Sequence, residues 1–243
     1  DLGAATVGGK LDLTTDGAVT QSGPLQVTGA ITIAAGSGAV TLTNPANDLG
    51  SSLSLTAASA QLVDGSGGLV LGNVTTSSAT GTLSVSSTDG TITQATDARI
   101  LAGGSSTFTA STTTGPANIT LANAGNDFSG TVALDGANIS IRDANAIQLA
   151  AVSAGGTLQV AAQGDVTQTA AMSVTGTASI DAGSGSIVLT NANNDFKDVL
   201  SLTGAAASIT DSNSLSLGTL SLSGALVANS SGALVLGSGH VGS

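Results

Sequence analysis

The residues best suited to chemistry in this chain are asparagines and aspartates that return at intervals. Asn44 with Asp48, Asn123 with Asp127 and Asn191 with Asp195 recur as pairs, each followed by an apolar Leu49, Phe128 or Phe196. Carboxylate and amide oxygens gathered at a turn are the donor type that Ca2+ takes, and the same groups bond sugar hydroxyls. Asn and Asp also tolerate left-handed backbone and bond their own turn, so the spacing equally describes a structural turn with an apolar residue tucked beneath it. These six residues are the candidate binding residues, with turn formation the leading role. Equivalent loops lie three coils apart on this reading, about 14 Å, so they are not expected to share one site.

Other chemistries find fewer residues. A calcium-binding roll needs a tandem Gly-Gly-x-Gly-x-Asp array, and Gly67-Gly68, Gly103-Gly104 and Gly155-Gly156 do not open one. Glycoside hydrolysis needs two carboxylates at a set separation, whereas the aspartates here fall at repeat-equivalent turn positions. Arg99 and Arg142 are the two arginines, and Arg142-Asp143 reads as a local surface pair. His240 is the single histidine and there is no cysteine. No catalytic residue, metal site or cofactor is expected, and the chain is not expected to be an enzyme. Thr-x-Thr pairs at Thr41/Thr43, Thr91/Thr93 and Thr107/Thr109 do not recur every coil, as a flat ice-binding face would require.

Composition sets the class of scaffold. Of 243 residues, 41% are hydrophobic and 8% charged, with three Phe and neither Tyr nor Trp. That is enough apolar material for a core, and the core must be narrow because its side chains are small and aliphatic. All fifteen acidic residues are Asp, against four basic ones, for a net charge of −11. Asp suits turns and Glu suits helices, so the absence of Glu argues against amphipathic helices. The acidity also argues against a nucleic-acid partner. No apolar run approaches the roughly 18 residues of a spanning helix, and a barrel's aromatic girdles have no residues to form them, so membrane insertion is not expected.

The elements that must position the candidate residues are short strands. Leu25/Val27, Ile31/Ile33, Val40/Leu42, Leu53/Leu55 and Leu200/Leu202 alternate with polar partners, the mark of a strand with one buried face. Gly, Asn, Asp and Ser punctuate the pairs. A larger repeat overlies them. Residues 27–48 return as 174–195, and Asp16-Gly17-Ala18-Val19-Thr20-Gln21 returns at Asp89–Gln94 and at Gly164–Gln168. Asp64, Asp143 and Asp211 also align. The blocks run 11–82, 83–157 and 158–225, with a partial block 226–243, all within one continuous helix over 1–243. Gln94 and Asn123 stand six residues further apart than Gln21 and Asn44 or Gln168 and Asn191. Loops absorb such additions at small cost, so a protruding loop is expected within 95–118, with Ser105, Thr107, Thr112 and Thr114 as its candidate residues. The sequence thus predicts an all-β, single-stranded parallel β-helix (a β-solenoid). It should hold about 10–11 coils of about 23 residues, with three short strands per coil and about three coils per block.

The phrases Leu-Thr-Asn-x-x-Asn-Asp-Phe/Leu, at residues 42–49 and 189–196, and Gly-Asp/Ala-Val-Thr-Gln, at 17–21 and 164–168, carry a resemblance. They resemble repeats of large exoproteins of the filamentous-haemagglutinin type, exported by two-partner secretion in Gram-negative bacteria. The resemblance covers essentially the whole chain. It implies a right-handed β-helix in a secreted, cell-surface protein of adhesion, aggregation or biofilm. The family's Asn-Pro-Asn-Leu secretion motif is missing, which suggests an internal segment. The expected function is a structural or adhesive stalk segment. The alternatives are an exopolysaccharide-binding module and a self-assembling filament subunit. Candidate partners are further repeats of the parent protein, extracellular polysaccharide or a host-surface ligand, and a second copy joined head to tail.

Overall fold

Alternation dictates the wall. In Ile31-Thr32-Ile33 and Leu53-Ser54-Leu55 successive side chains leave opposite faces of a strand. Ile31, Ile33, Leu53 and Leu55 are accordingly buried, while Thr32 faces out. A three- to eight-residue strand cannot bury that face alone, so it stacks on the same strand of the next turn. The computed structural model describes residues 1–242. It is all-β, without a helix among them, and its parallel strands stack as a β-solenoid of about 12 turns. The turns divide into two units, Asp1–Gly130 and Thr131 onward.

In the first unit one sheet runs Leu11–Thr14, Ala30–Ala34, Ser52–Ala57, Leu69–Thr76, Ile92–Gln94 and Ile119–Leu121, every neighbour parallel. The facing sheet runs Ala39–Leu42, Ser59–Asp64, Leu83–Ser87 and Ser106–Thr112, again parallel. In the second unit one sheet holds Ile139–Arg142, Leu158–Ala161, Ala178–Asp181, Val199–Gly204 and Leu215–Leu222. Its facing sheet passes from Thr131–Gly136 through Ile147–Ala154, Val166–Gln168 and Ile187–Leu189 to Ala207–Asp211 and Leu226–Ser230. Between the sheets lies a thin aliphatic core. In the first unit it is widened by Phe108 and Phe128, packed edge to face with centroids 6.0 Å apart.

The solenoid is the expected one, but its turns are tighter. Leu11 pairs with Ile31, Ile31 with Leu53 and Leu53 with Leu71, advances of 20, 22 and 18 residues. That is why about 12 turns fit where the 23-residue estimate gave about 10–11. Three strands per turn appear where a short turn splits one side, either the turn after the Gln, as in Ile92–Gln94, Ile100–Ala102 and Ser106–Thr112, or an Asn turn, as in Ile187–Leu189, Asp195–Phe196 and Val199–Gly204. Where the side is unbroken, as in Leu69–Thr76, the turn has two.

Nor does a block hold a whole number of turns. From Val19 the ladder climbs one wall through Val40, Ala60 and Leu83, three turns, and the chain then crosses to the opposite wall before reaching Ile92. The block is three and a half turns long. Within this unit the motif of Gln21 therefore belongs to one wall and that of Gln94 to the other.

The six added residues of the middle block are divided between two places. Gln21 to Leu25 and Gln168 to Met172 are four residues, but Gln94 to Ile100 is six, so two residues enlarge the turn 95–99. The other four form an antiparallel hairpin in which Ser111 pairs with Pro116 and Thr112 with Gly115. Thr112 and Thr114 occupy that hairpin, their hydroxyls 3.1 Å apart. Ser105 and Thr107 do not. The Ser105 carbonyl accepts from Leu83 N, and Thr107 pairs with Ser84 in the parallel wall.

Candidate functional site

Strand alternation turns the last residue of Val-Thr-Gln toward the interior, where a long amide needs partners. It finds them one turn on. Gln21 Nε2 donates to Asn47 Oδ1 at 2.8 Å, and Asn47 Nδ2 donates back to Gln21 Oε1 at 2.9 Å. The same reciprocal pair joins Gln94 to Asn126 at 2.7 and 3.0 Å, and Gln168 to Asn194 at 2.8 and 2.8 Å. Asn47, Asn126 and Asn194 are each fully buried. Their Oδ1 atoms also accept the backbone N–H of Leu25, Ile100 and Met172 at 2.9, 3.0 and 3.0 Å. The side chain thus replaces the backbone carbonyl that an unbroken parallel ladder would supply there.

A third member completes the pin. Asp64 Oδ1 accepts the Leu49 N–H at 2.8 Å, and Asp211 Oδ2 accepts the Phe196 N–H at 2.8 Å. Gln, Asn and Asp from three successive turns are thereby stitched together, Gln21–Asn47–Asp64 in the first unit and Gln168–Asn194–Asp211 in the second. In the first set Asp64 Oδ2 is buried without a hydrogen-bond partner. Burial pushes the Asp64 carboxyl up to about 6, helped by the charges of Asp48 and Asp89 and opposed by the N–H groups of Leu49 and Ser66.

The residues singled out in the sequence lie at the rim of these pins. Asn44 Oδ1 accepts from Ala46 N at 2.9 Å, and Asn191 Oδ1 from Asn193 N at 3.0 Å, both closing their own turns. Asn123 differs: its Nδ2 donates to the carbonyls of Ala95 and Ala98 at 2.8 and 2.9 Å. Asp48 Oδ1 takes a long bond from Gly50 N, and Asp127 Oδ1 one from Ser129 Oγ, each 3.4 Å. Asp195 accepts from Asn213 Nδ2 at 2.7 Å and faces Lys197 Nζ at 3.6 Å. Each pair lies in a single turn, and no group of three acidic or His side chains suited to a metal ion forms among the described residues.

The sequence singled out the first asparagine of each motif, a turn residue; the second, Asn47, Asn126 or Asn194, is the one that bonds inward. In Asn-x-x-Asn-Asp both asparagines recur, and the second is the buried one. The available signal was the recurring Gln at the matching place one turn earlier.

Three successive segments, residues 1–56, 57–135 and 136–203, match a family described as repeats of unknown function, DUF5649. No curated protein and no solved structure matches the chain.

Proposed function

The chain belongs to the DUF5649 family of repeats, and from that premise we propose that it is a structural segment of a large secreted bacterial surface protein, a stalk serving adhesion, aggregation or biofilm. The parent is of the filamentous-haemagglutinin type on this reading, and the segment itself performs no catalysis. One observation carries it. The most strongly repeated polar residues are consumed in joining one turn to the next, as in the reciprocal Gln168–Asn194 amide pair. A side chain committed to two or more bonds inside a wall is a stacking device, and repetition of a stacking device suits a protein that lengthens by adding turns.

The test is made in the bacterium that carries the gene. Antibody raised against the chain should decorate unpermeabilised cells, and in-frame deletion of the segment should weaken cell–cell aggregation or surface attachment. Labelling confined to permeabilised cells overturns the proposal.

A further inference from the structure

The enlarged turn 95–99 is where the repeat is broken, and its two added residues bring charge. The equivalent turns read Ser22-Gly23-Pro24 and Thr169-Ala170-Ala171, without a charged side chain, whereas the middle block reads Ala95-Thr96-Asp97-Ala98-Arg99. Asp97 has φ 58°, the sole positive φ at a residue other than glycine among the described residues. Left-handed backbone at such a position costs on the order of 1 kcal/mol and tends to mark functional turns.

The next turn is fitted to the change. Asn123-Ala124-Gly125-Asn126 has glycine where the other copies have Ala46 and Asn193. A Cβ at Gly125 would fall 2.8–3.0 Å from Nε, Cγ and Cδ of Arg99, so the arginine side chain lies across the space that this glycine leaves. The Arg99 backbone is clamped as well: its N–H donates to Asn73 Oδ1 at 3.0 Å, and its carbonyl accepts from Val74 N at 2.9 Å. Together Asp97, Ala98, Arg99, Asn123, Ala124 and Gly125 line a cavity of about 340 Å3. Arg99 makes no ion pair among the described residues, with Asp97 or any other carboxylate. Asn123 spends its Nδ2 on the turn, while its Oδ1 accepts no hydrogen bond among the described residues.

One guanidinium and two acceptor groups beside a cavity suit a ligand with a carboxylate and neighbouring hydroxyls. We propose that this notch binds a carboxylated sugar, a uronate, whose carboxylate pairs with Arg99 and whose ring hydroxyls donate to Asp97 and Asn123 Oδ1. Arg presents two parallel donors to a carboxylate, which fixes orientation as well as charge. The net charge of −11 disfavours a long polyanion lying along the wall. Charges beyond about 10 Å are screened at 0.1 M salt, which leaves a single uronate unit or chain end as the occupant. The site goes beyond the stalk reading and does not depend on it.

The experiment is titration of the isotope-labelled chain with glucuronate, glucose and acetate, followed by amide NMR. Glucuronate should shift Arg99, Asn123 and Gly125 with millimolar affinity, and the other two should not. Arg99→Gln should weaken binding about tenfold or more, the loss of one charge-assisted bond. Gly125→Ala keeps the guanidinium but displaces it, and should weaken binding similarly with the unfolding midpoint little changed. Equal shifts with glucose, acetate matching glucuronate, or unchanged affinity in Arg99→Gln each overturn the proposal.

Discussion

Replacing Asn194 with Ala tests whether the buried amide, rather than the turn around it, holds the wall. Asn194 Oδ1 accepts from Gln168 Nε2 and Met172 N, and its Nδ2 donates to Gln168 Oε1, Leu189 O and Thr210 O. Truncation strands the buried Met172 N–H, at about 1–3 kcal/mol for an unsatisfied buried donor. The two backbone carbonyls each lose a bond. Gln168, part-buried and still donating to Ala170 O at 2.6 Å, recovers some of its loss from water. The expected cost is about 3–4 kcal/mol, among the larger effects of a single substitution. Asn191→Ala, three residues away in the motif, removes one turn-closing bond but keeps the backbone N–H that donates to Gln168 Oε1, and should cost about 1 kcal/mol. Urea unfolding followed by circular dichroism measures both, and hydrogen exchange at the Met172 amide reports the local break even if the solenoid unfolds in parts. The double variant with Gln168→Ala should show a coupling of about 1 kcal/mol or more. Equal costs for Asn191 and Asn194, or additive effects with Gln168, would refute the pin.

Two further outcomes are expected. Asp64 has its carboxyl raised above the unfolded value, so its stabilising protonated form is fully populated at low pH and is lost as pH rises from about 4 through about 6. The advantage of Asp64→Asn over the parent, read from urea midpoints, should therefore grow by about 2–3 kcal/mol between pH 4 and pH 7.5, and a difference flat in pH would contradict it. Shortening the hairpin by joining Ser111 to Pro116 should change stability by under about 0.5 kcal/mol, because the hairpin lies outside the parallel walls. A large loss on calorimetry would show that it supports the coil.

Much of the fold was legible because alternation is a local signal. Ile31/Ile33 and Leu53/Leu55 announce a buried face, and the recurrence of Gln21, Gln94 and Gln168 announces stacked turns. The length of a turn was not legible, since it depends on which strands pair; Leu69–Thr76 reads as one strand only when Ile92–Gln94 and Ile100–Ala102 lie beside its two halves. The six-residue addition was visible, but its division was not. An antiparallel hairpin at Ser111–Pro116 and a wider turn at 95–99 give the same spacing between anchors. The buried asparagine was hidden for a related reason. Asn44 and Asn47 are one residue type in one motif, and only the pairing of Gln21 across the turn distinguishes the one that bonds inward from the one that closes the rim.

The half-turn left over in the block from Val19 to Ile92 has a consequence for how a gene built of such blocks can change. Duplicating or losing one block would transpose every later motif to the opposite wall, and would carry any partner-facing groove around with it. Duplicating two blocks adds a whole number of turns and leaves each later motif facing as before. Selection for a fixed facing should thus favour copy numbers that change in pairs.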